Sequence, residues 1–304
     1  MPDRGGLRIA RAGSLPRGEG ADVIRLGLAG ALLLAGCAES RAPEPQANRL
    51  PARPTIVSLN PCSDAVLAEV ADPAQLLAIS HYSHDPRASS MDVGVARRFA
   101  VTGGTVEEVL ALDPDVVVAS PFLAPATRAG LEDMGIAVVS FGIASGIEDS
   151  IAQVRELAQL AGDTAAGERL AARIAAAAVP VEGERVATVL WQSGGIVAGE
   201  AALVTDLLTR AGFTSHSAAR GLGQADYLSL EQVAADPPEL LLVAGNEPGQ
   251  HHPLLDHLTQ TRVEPFDPGL VYCGGPTIIR AMERLRTLRT AMLDRRLAKR
   301  TASR

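Results

Sequence analysis

Two stretches of this 304-residue chain share one pattern: Thr105-Val-Glu-Glu-Val-Leu-Ala-Leu-Asp-Pro-Asp-Val-Val-Val-Ala-Ser120 and Ser229-Leu-Glu-Gln-Val-Ala-Ala-Asp-Pro-Pro-Glu-Leu-Leu-Leu-Val-Ala244. Each begins with a hydroxyl residue followed three positions later by Glu or Gln, the capping-box pattern of a helix start. Each continues with a short amphipathic helix, an acid–proline break and an apolar strand. Such a strand is typical of a parallel sheet covered by helices on both faces. The duplication therefore predicts two similar α/β lobes with a cleft between them.

The rest of the chain fits the same architecture. Short apolar strands alternate with amphipathic helices, which favours parallel strands joined by right-handed connections. The apolar spacing from Ile147 to about Ala178 is helical, Gly162-Asp163 is a potential interruption, and Pro180 ends the segment. We predict two Rossmann-like lobes with central parallel sheets, residues 54–146 and 181–304, joined by a long rigid helix across 147–180. A helical connector is stiff, so we expect lobe closure to be small.

The N-terminus has the features of an export signal. Leu26–Gly36 is apolar but too short to span a membrane comfortably, and it leads into Leu34-Ala-Gly-Cys37, which is similar to the cleavage box of bacterial lipoproteins. In lipoproteins the signal is cut before the cysteine, whose thiol is lipidated. We therefore expect residues 1–36 to be removed as a signal peptide, Cys37 to carry the lipid and residues 37–53 to form a flexible tether. Residues 1–22 are too mixed in charge for a signal, which places the expected translation start near Val23.

Charge and motifs argue against several classes of function. The net charge is −7, and no basic run precedes the C-terminal helix expected over 280–304, which argues against nucleic-acid binding. The sequence has no nucleophile elbow, P-loop, dinucleotide-binding glycine pattern or zinc-protease motif. We therefore expect a binding protein rather than an enzyme. An exported α/β enzyme and a tethered scaffold without a small ligand remain alternatives.

A set of ordered motifs resembles one family of binding proteins. The motifs are Ile56-Val-Ser-Leu-Asn-Pro61, Ser80-His-Tyr-Ser-His-Asp-Pro86, the repeat copy from Thr105 to Val118, Gly135-Ile-Ala-Val138, Ser229-Leu-Glu-Gln-Val233 and Gly275-Pro276. Together they resemble the rigid-helix class of substrate-binding proteins that serve ABC importers of iron–siderophores, haem and cobalamin. The likeness covers roughly Pro54 to Leu293. It implies an exported receptor, lipid-anchored on the periplasmic side of the cell envelope, that delivers a small metal chelate to an ABC permease dimer with its cytoplasmic ATPase.

The carboxyl ends of the strands are where a doubly wound sheet binds its ligand. The residues that this rule and the resemblance place in the cleft are Tyr82, His84, Phe122, Gln192, Tyr227 and Tyr272. Tyr82 resembles a family position where an aromatic ring lies against a flat ligand, an arrangement that buries a large area with little loss of entropy. The loop at His81–Pro86 best resembles the cobalamin binders, so cobalamin or another corrinoid is the favoured solute. A ferric siderophore or haem comes next.

Two glutamates have matching positions in the repeat. In the family, one glutamate on each lobe forms a salt bridge to arginines of the permease, and here these positions are Glu107 and Glu231. The alternative is that each acid only complements the dipole of its helix, which is worth about 0.3–1 kcal/mol. The same contact at both lobes favours docking, because a two-lobed receptor meets two permease subunits.

Cysteines and histidines leave further alternatives open. If Cys37 is lipidated, Cys62 and Cys273 remain, as a disulfide, as two free thiols or as soft ligands to a metal in the solute; export favours the disulfide. The histidines allow a zinc- or manganese-binding receptor, although their spacing is not a metal motif. We expect no resident cofactor and no metal site of the protein itself.

Overall fold

The first lobe is built on a parallel five-stranded sheet. In the computed structural model, which describes residues 50–302, its strands are β1 (Ile56–Ser58), β2 (Leu76–Ser80), β3 (Val101–Thr102), β4 (Val116–Ala119) and β5 (Ala137–Ser140). Their order in the sheet is β3-β2-β1-β4-β5, and each pair is parallel. The connections contain α1 (Pro61–Val70), α2 (Val93–Ala96), α3 (Val106–Leu112) and α4 (Pro125–Asp133), with a 3-10 turn at His81–His84. This order places β1 and β4 at the centre, where both are fully buried.

The connecting segment is a pair of helices, α5 (Ile147–Ala161) and α6 (Thr164–Ala177), instead of the single long helix that we predicted. Gly162 ends α5 with a left-handed backbone (φ 76°), and the Asp163 carboxylate accepts the Ala166 N–H to start α6. The two helices then pack closely, because Gly167 lies against Ala158 and a Cβ at Gly167 would come within 2.4 Å of it.

The second lobe repeats most of the first. Its strands are β6 (Val186–Gln192), β7 (Ile196–Val197), β8 (Phe213–Ser215), β9 (Asp226–Tyr227), β10 (Leu240–Ala244) and β11 (Arg262–Pro265), and its helices are α7 (Leu203–Arg210), α8 (Leu230–Ala235) and α9 (Thr277–Ala302). The parallel run β8-β6-β10-β11 corresponds to β2-β1-β4-β5 of the first lobe. We predicted parallel sheets, but the second sheet is not parallel throughout. At one edge, β7 runs antiparallel to both of its neighbours, β6 and β9. Strand β7 pairs with β6 at Trp191, near the C-terminal end of β6, and β9 pairs with β7.

The sequence repeat corresponds to a structural repeat. Thr105 and Ser229 both cap their helices, accepting the backbone N–H of Glu108 and Gln232. The strands that follow, β4 and β10, occupy the same place beside the central strand of each sheet. The two α/β lobes inferred from the duplication are therefore present.

The connector and both lobes share a continuous core. One cluster of buried apolar side chains runs from Ile56 and Leu67 through Leu157 and Ile174 to Phe213 and beyond. Polar contacts tie the connector to the second lobe: the Ile147 N–H donates to Asp206 at 2.9 Å, and the Gly275 N–H donates to the Ser150 hydroxyl at 2.7 Å. Because a close-packed core resists deformation, this arrangement supports limited movement between the lobes.

The export signal, Cys37 and nearly all of the predicted tether lie outside the described residues. Within residues 50–302, no helix combines the length and the apolar character that a membrane span requires.

Candidate functional site

Large apolar side chains are exposed at the carboxyl ends of the first lobe's strands. Tyr82 follows β2, Phe122 follows β4 and Ile143 follows β5, with exposed fractions of 54%, 78% and 71%. Parallel strands end at the same edge of a sheet, so these three side chains share one edge. Exposed apolar side chains grouped at one edge of a sheet are a candidate binding surface. Tyr82 and Phe122 therefore lie where the sequence places them.

The second lobe contributes a similar surface. Tyr227 in β9 is 59% exposed, and its strand neighbour Ile196 in β7 is 45% exposed. Tyr272, just ahead of α9, is 41% exposed, and Gln192 ends β6. Ile196 was not among the predicted site residues, because the rule used was for the carboxyl ends of parallel strands and β7 runs antiparallel to β6. The uncharged residues Tyr82, Phe122, Ile143, Ile196, Tyr227 and Tyr272 are called the apolar rim below.

The ring of Tyr227 is held by its packing. It lies over Gly195, whose backbone is left-handed (φ 80°), and a Cβ at Gly195 would come within 2.5 Å of the ring. The next residue, Leu228, accepts the indole N–H of buried Trp191 through its carbonyl at 2.8 Å. Trp191 thus lies directly beneath the rim, where its fluorescence can report on a bound ligand.

The two histidines beside Tyr82 are engaged in contacts within the lobe. His84 is half-buried, and its Nε2 lies 3.0 Å from the Ala96 carbonyl in α2. His81 Nδ1 lies 3.3 Å from the Thr102 carbonyl, and its ring lies 4.1 Å from that of Tyr82. These contacts direct the imidazole of His84 towards α2, so its predicted ligand contact is less direct than that of Tyr82.

The first turn of α1 connects the elements that carry the rim. Asn60 caps the helix and donates from Nδ2 to the Phe141 carbonyl at 3.3 Å, which ties it to the end of β5. The Asp64 carboxylate accepts the Ser80 N–H at 3.0 Å and the Ser83 hydroxyl at 2.6 Å, which ties it to the turn that carries Tyr82. This turn of α1 therefore positions two parts of the first lobe's surface at once.

A disulfide extends these contacts to the other lobe. Of the three alternatives for Cys62 and Cys273, the structure has the disulfide, with the Cα atoms 5.2 Å apart. Cys62 is in the first turn of α1, and Cys273 follows Tyr272. The bond therefore joins the lobes beside the apolar rim and holds Tyr272 close to the end of β1.

Asp64 is an unusual residue within this turn, and sequence reasoning missed it. The carboxyl is fully buried, and burial raises its pKa to about 7 against the hydrogen bonds from Ser83 and Ser80, which lower it. Its Oδ1 has no partner in hydrogen-bonding geometry. An acid within the apolar helix start Pro61–Val70 was the available signal.

The two predicted docking glutamates occupy the same exposed position of their helices. Glu107 and Glu231 are the second helical residues of α3 and α8, and both side chains are exposed. The neighbouring Glu108 accepts hydrogen bonds from the Thr102 hydroxyl and the Gly103 N–H, so it completes the local turn. In the second lobe Gln232 completes the capping box. Glu107 and Glu231 are thus not the residues that complete the helix start.

Metal-binding geometry is not evident in the part of the chain that the structure describes. No group of three or more His, Cys, Asp or Glu side chains there is close enough to hold an ion. His251 Nε2 lies 2.6 Å from Asn246 Oδ1, and His252 Nδ1 accepts the Leu254 N–H. Three cavities in the described part of the chain are lined partly by α9, and none of the three is lined by a rim side chain.

Comparisons with known proteins agree with this architecture. The sequence profile of the periplasmic binding protein family matches residues 56–263. A search of curated proteins finds no match. Among solved structures, a periplasmic haem-binding protein from Roseiflexus is similar (22% identity, 80% of this chain and 98% of that chain, TM-score 0.61). So is a periplasmic vitamin B12-binding protein of Vibrio cholerae (16% identity, 79% and 97%, TM-score 0.60). At these identities, the likeness to the solved structures shows a shared fold.

Proposed function

Because this chain belongs to the periplasmic binding protein family, we propose that it is an exported receptor that captures a flat metal chelate and delivers it to an ABC permease. The observation that carries the proposal is the apolar rim, contributed by both lobes at the carboxyl ends of their strands. Flat ring systems bind well to such a surface, since aromatic side chains bury a large area at low entropic cost. Lipidation at Cys37 keeps the receptor near its permease.

A neutral or cationic chelate suits this surface better than an anionic one. The six rim side chains carry no charge, and burial, followed by the nearby Asp267 carboxylate, raises the pKa of Tyr272. Arg87, in the loop that follows the Tyr82 turn, is paired with Asp85. Haem propionates and catecholate siderophores gain most from cations that are free to pair. This favours a corrinoid, with haem or a ferric siderophore next. Similar solved structures include a vitamin B12-binding protein, a haem-binding protein and a possible iron-binding protein.

Glu107 and Glu231 serve as docking residues for the permease. Both are exposed, and both are second in their helices. Hydrogen bonds from its own backbone N–H and from Ser229, with a smaller contribution from His252, lower the pKa of Glu231, which keeps this carboxylate charged. Two like charges at equivalent positions fit a permease with two related subunits, and the cytoplasmic ATPase then drives import.

The test is a calorimetric titration of the protein with cyanocobalamin, haem and ferric siderophores. We expect one chelate to bind with one-to-one stoichiometry, quench Trp191 fluorescence and lose most of its affinity on Tyr82→Ala or Tyr227→Ala. Met134→Ala is the matched control, because Met134 is 61% exposed at the end of α4 and lies outside the rim. Equal losses in all three variants, or binding of free zinc without any chelate, would refute the proposal.

A further inference from the structure

The carboxyl of Asp64 is buried directly behind the residue that we expect to contact the ligand. Its Oδ2 accepts the Ser80 N–H and the Ser83 hydroxyl. Ser80 ends β2, and Ser83 lies in the following turn, so the two hydrogen bonds flank Tyr82 on both sides along the chain. Tyr82 itself is exposed, whereas Asp64, Ser80 and Ser83 are buried. Asp64 therefore holds the base of the turn without access to the ligand.

We propose that Asp64 is a positioning residue of the ligand site: it holds the turn that presents Tyr82, and its protonation state sets how firmly that turn is held. This inference rests on the proposed function, because it takes Tyr82 as a ligand contact. The ligand acts on Asp64 only through the turn.

The two protonation states of Asp64 have opposing advantages. An ionised carboxylate accepts hydrogen bonds that are roughly twice as strong as those to a neutral acceptor, so the ionised form holds Ser80 and Ser83 more firmly. The same charge leaves Oδ1 buried without a partner, which favours the protonated form. Burial raises the pKa of Asp64 to about 7, so the two forms exchange close to neutral pH. A ligand that requires the ordered turn must favour the ionised form, and binding must then release a proton.

Few other ionisable side chains near Asp64 could make ligand binding depend on pH. Strands β1 and β2 carry no ionisable side chain. The buried side chains of α5 and α6 are likewise not ionisable. Glu69, further along α1, is exposed and pairs with Arg173 of α6. The Tyr82 turn also carries His81 and His84, so these two histidines are tested separately.

The first experiment measures cyanocobalamin binding by calorimetry at about pH 6 and about pH 8, in buffers with different ionisation enthalpies. We expect about three- to tenfold higher affinity at the higher pH, with proton release on binding. Asp64→Asn should bind with the low-pH affinity at both pH values and release no proton. Glu69→Gln, on the same helix, should behave as the wild type. Loss of the pH dependence in His81→Asn or His84→Asn, with Asp64→Asn unchanged, would overturn the proposal.

The second experiment needs no ligand. Hydrogen exchange of the Ser80–His84 amides, corrected for intrinsic exchange, should show greater protection at about pH 8 than at about pH 6, and Asp64→Asn should remove the difference. If Asp64→Asn does not fold, Ser83→Ala can replace it, because this variant keeps the acid and removes one hydroxyl donor. It should reduce the difference in protection between the two pH values. Equal protection at both pH values in the wild type would overturn the Asp64 proposal. A pH-dependent protection without binding of any chelate would refute the proposed function and leave the role of Asp64 in the turn supported.

Discussion

Removing the disulfide between the lobes should produce a large loss of stability. Cys62 and Cys273 are 211 positions apart, so the bond closes most of the described chain into one loop. The chain-entropy relation gives about 5 kcal/mol for a loop of this length, as an upper value. In a chain of this size that corresponds to a decrease in Tm of roughly 10–20 °C. We therefore expect Cys62→Ser to lower the free energy of unfolding by about 3–5 kcal/mol.

Urea denaturation followed by circular dichroism measures this loss. Cys62→Ser, Cys273→Ser and the double variant should be destabilised equally, because each removes the same bond. Reduced wild type should match them, and the double variant should not respond to the reductant. A loss below about 1 kcal/mol, or single-variant losses that add in the double variant, would refute the reasoning that the bond acts by closing this long loop.

Three further predictions follow from the site. Folded Asp64 keeps its proton up to a pKa of about 7, whereas the unfolded carboxyl loses it near 3.8. The free energy of unfolding of the wild type should therefore fall by about 3 kcal/mol between about pH 5 and about pH 8. Denaturation measured across that range should show no such fall for Asp64→Asn, and an unchanged fall would contradict the prediction. Gly195→Ala should displace the Tyr227 ring and weaken chelate binding in a calorimetric titration, whereas the nearby exposed Gly194→Ala should weaken it less. Glu108→Ala should lower the Tm, because Glu108 accepts hydrogen bonds from Thr102 and Gly103. Glu107→Ala should leave the Tm unchanged but reduce uptake of the chelate in vesicles that contain the permease. Equal Tm values for the two variants would contradict these separate roles of Glu107 and Glu108.

The duplicated stretch made the architecture predictable because each copy combines local signals that agree. The capping residues, the helical apolar spacing and the apolar strand all act within sixteen positions, and no distant contact is needed to form them. Strands β8 and β9 were not predicted, since two or three residues show no periodicity and their pairing depends on β6 and β7. The sequence marked Gly162 as a potential break in the connector. It does not show that Gly162 has a left-handed backbone or that α5 and α6 pack together through Ala158 and Gly167.

The candidate site was predictable in position and less so in detail. The rule that ligands bind at strand ends identified Tyr82, Phe122, Tyr227 and Tyr272, which the structure leaves exposed there. The disulfide remained one of three alternatives because the sequence contains no distance between Cys62 and Cys273. Asp64 could not be assigned a role, since its partners lie 16 and 19 positions away and meet it only through the packing of α1 beside β2.

The central claim is that the apolar rim binds a flat metal chelate, and titration of the protein with cyanocobalamin tests it most directly. Trp191 fluorescence and calorimetric heat should report one saturable site, with affinity that falls sharply in Tyr82→Ala and stays unchanged in Met134→Ala. Absence of heat and quenching with cyanocobalamin, together with tight binding of haem, would replace the corrinoid with another chelate. Absence of binding with every chelate tested would contradict the account.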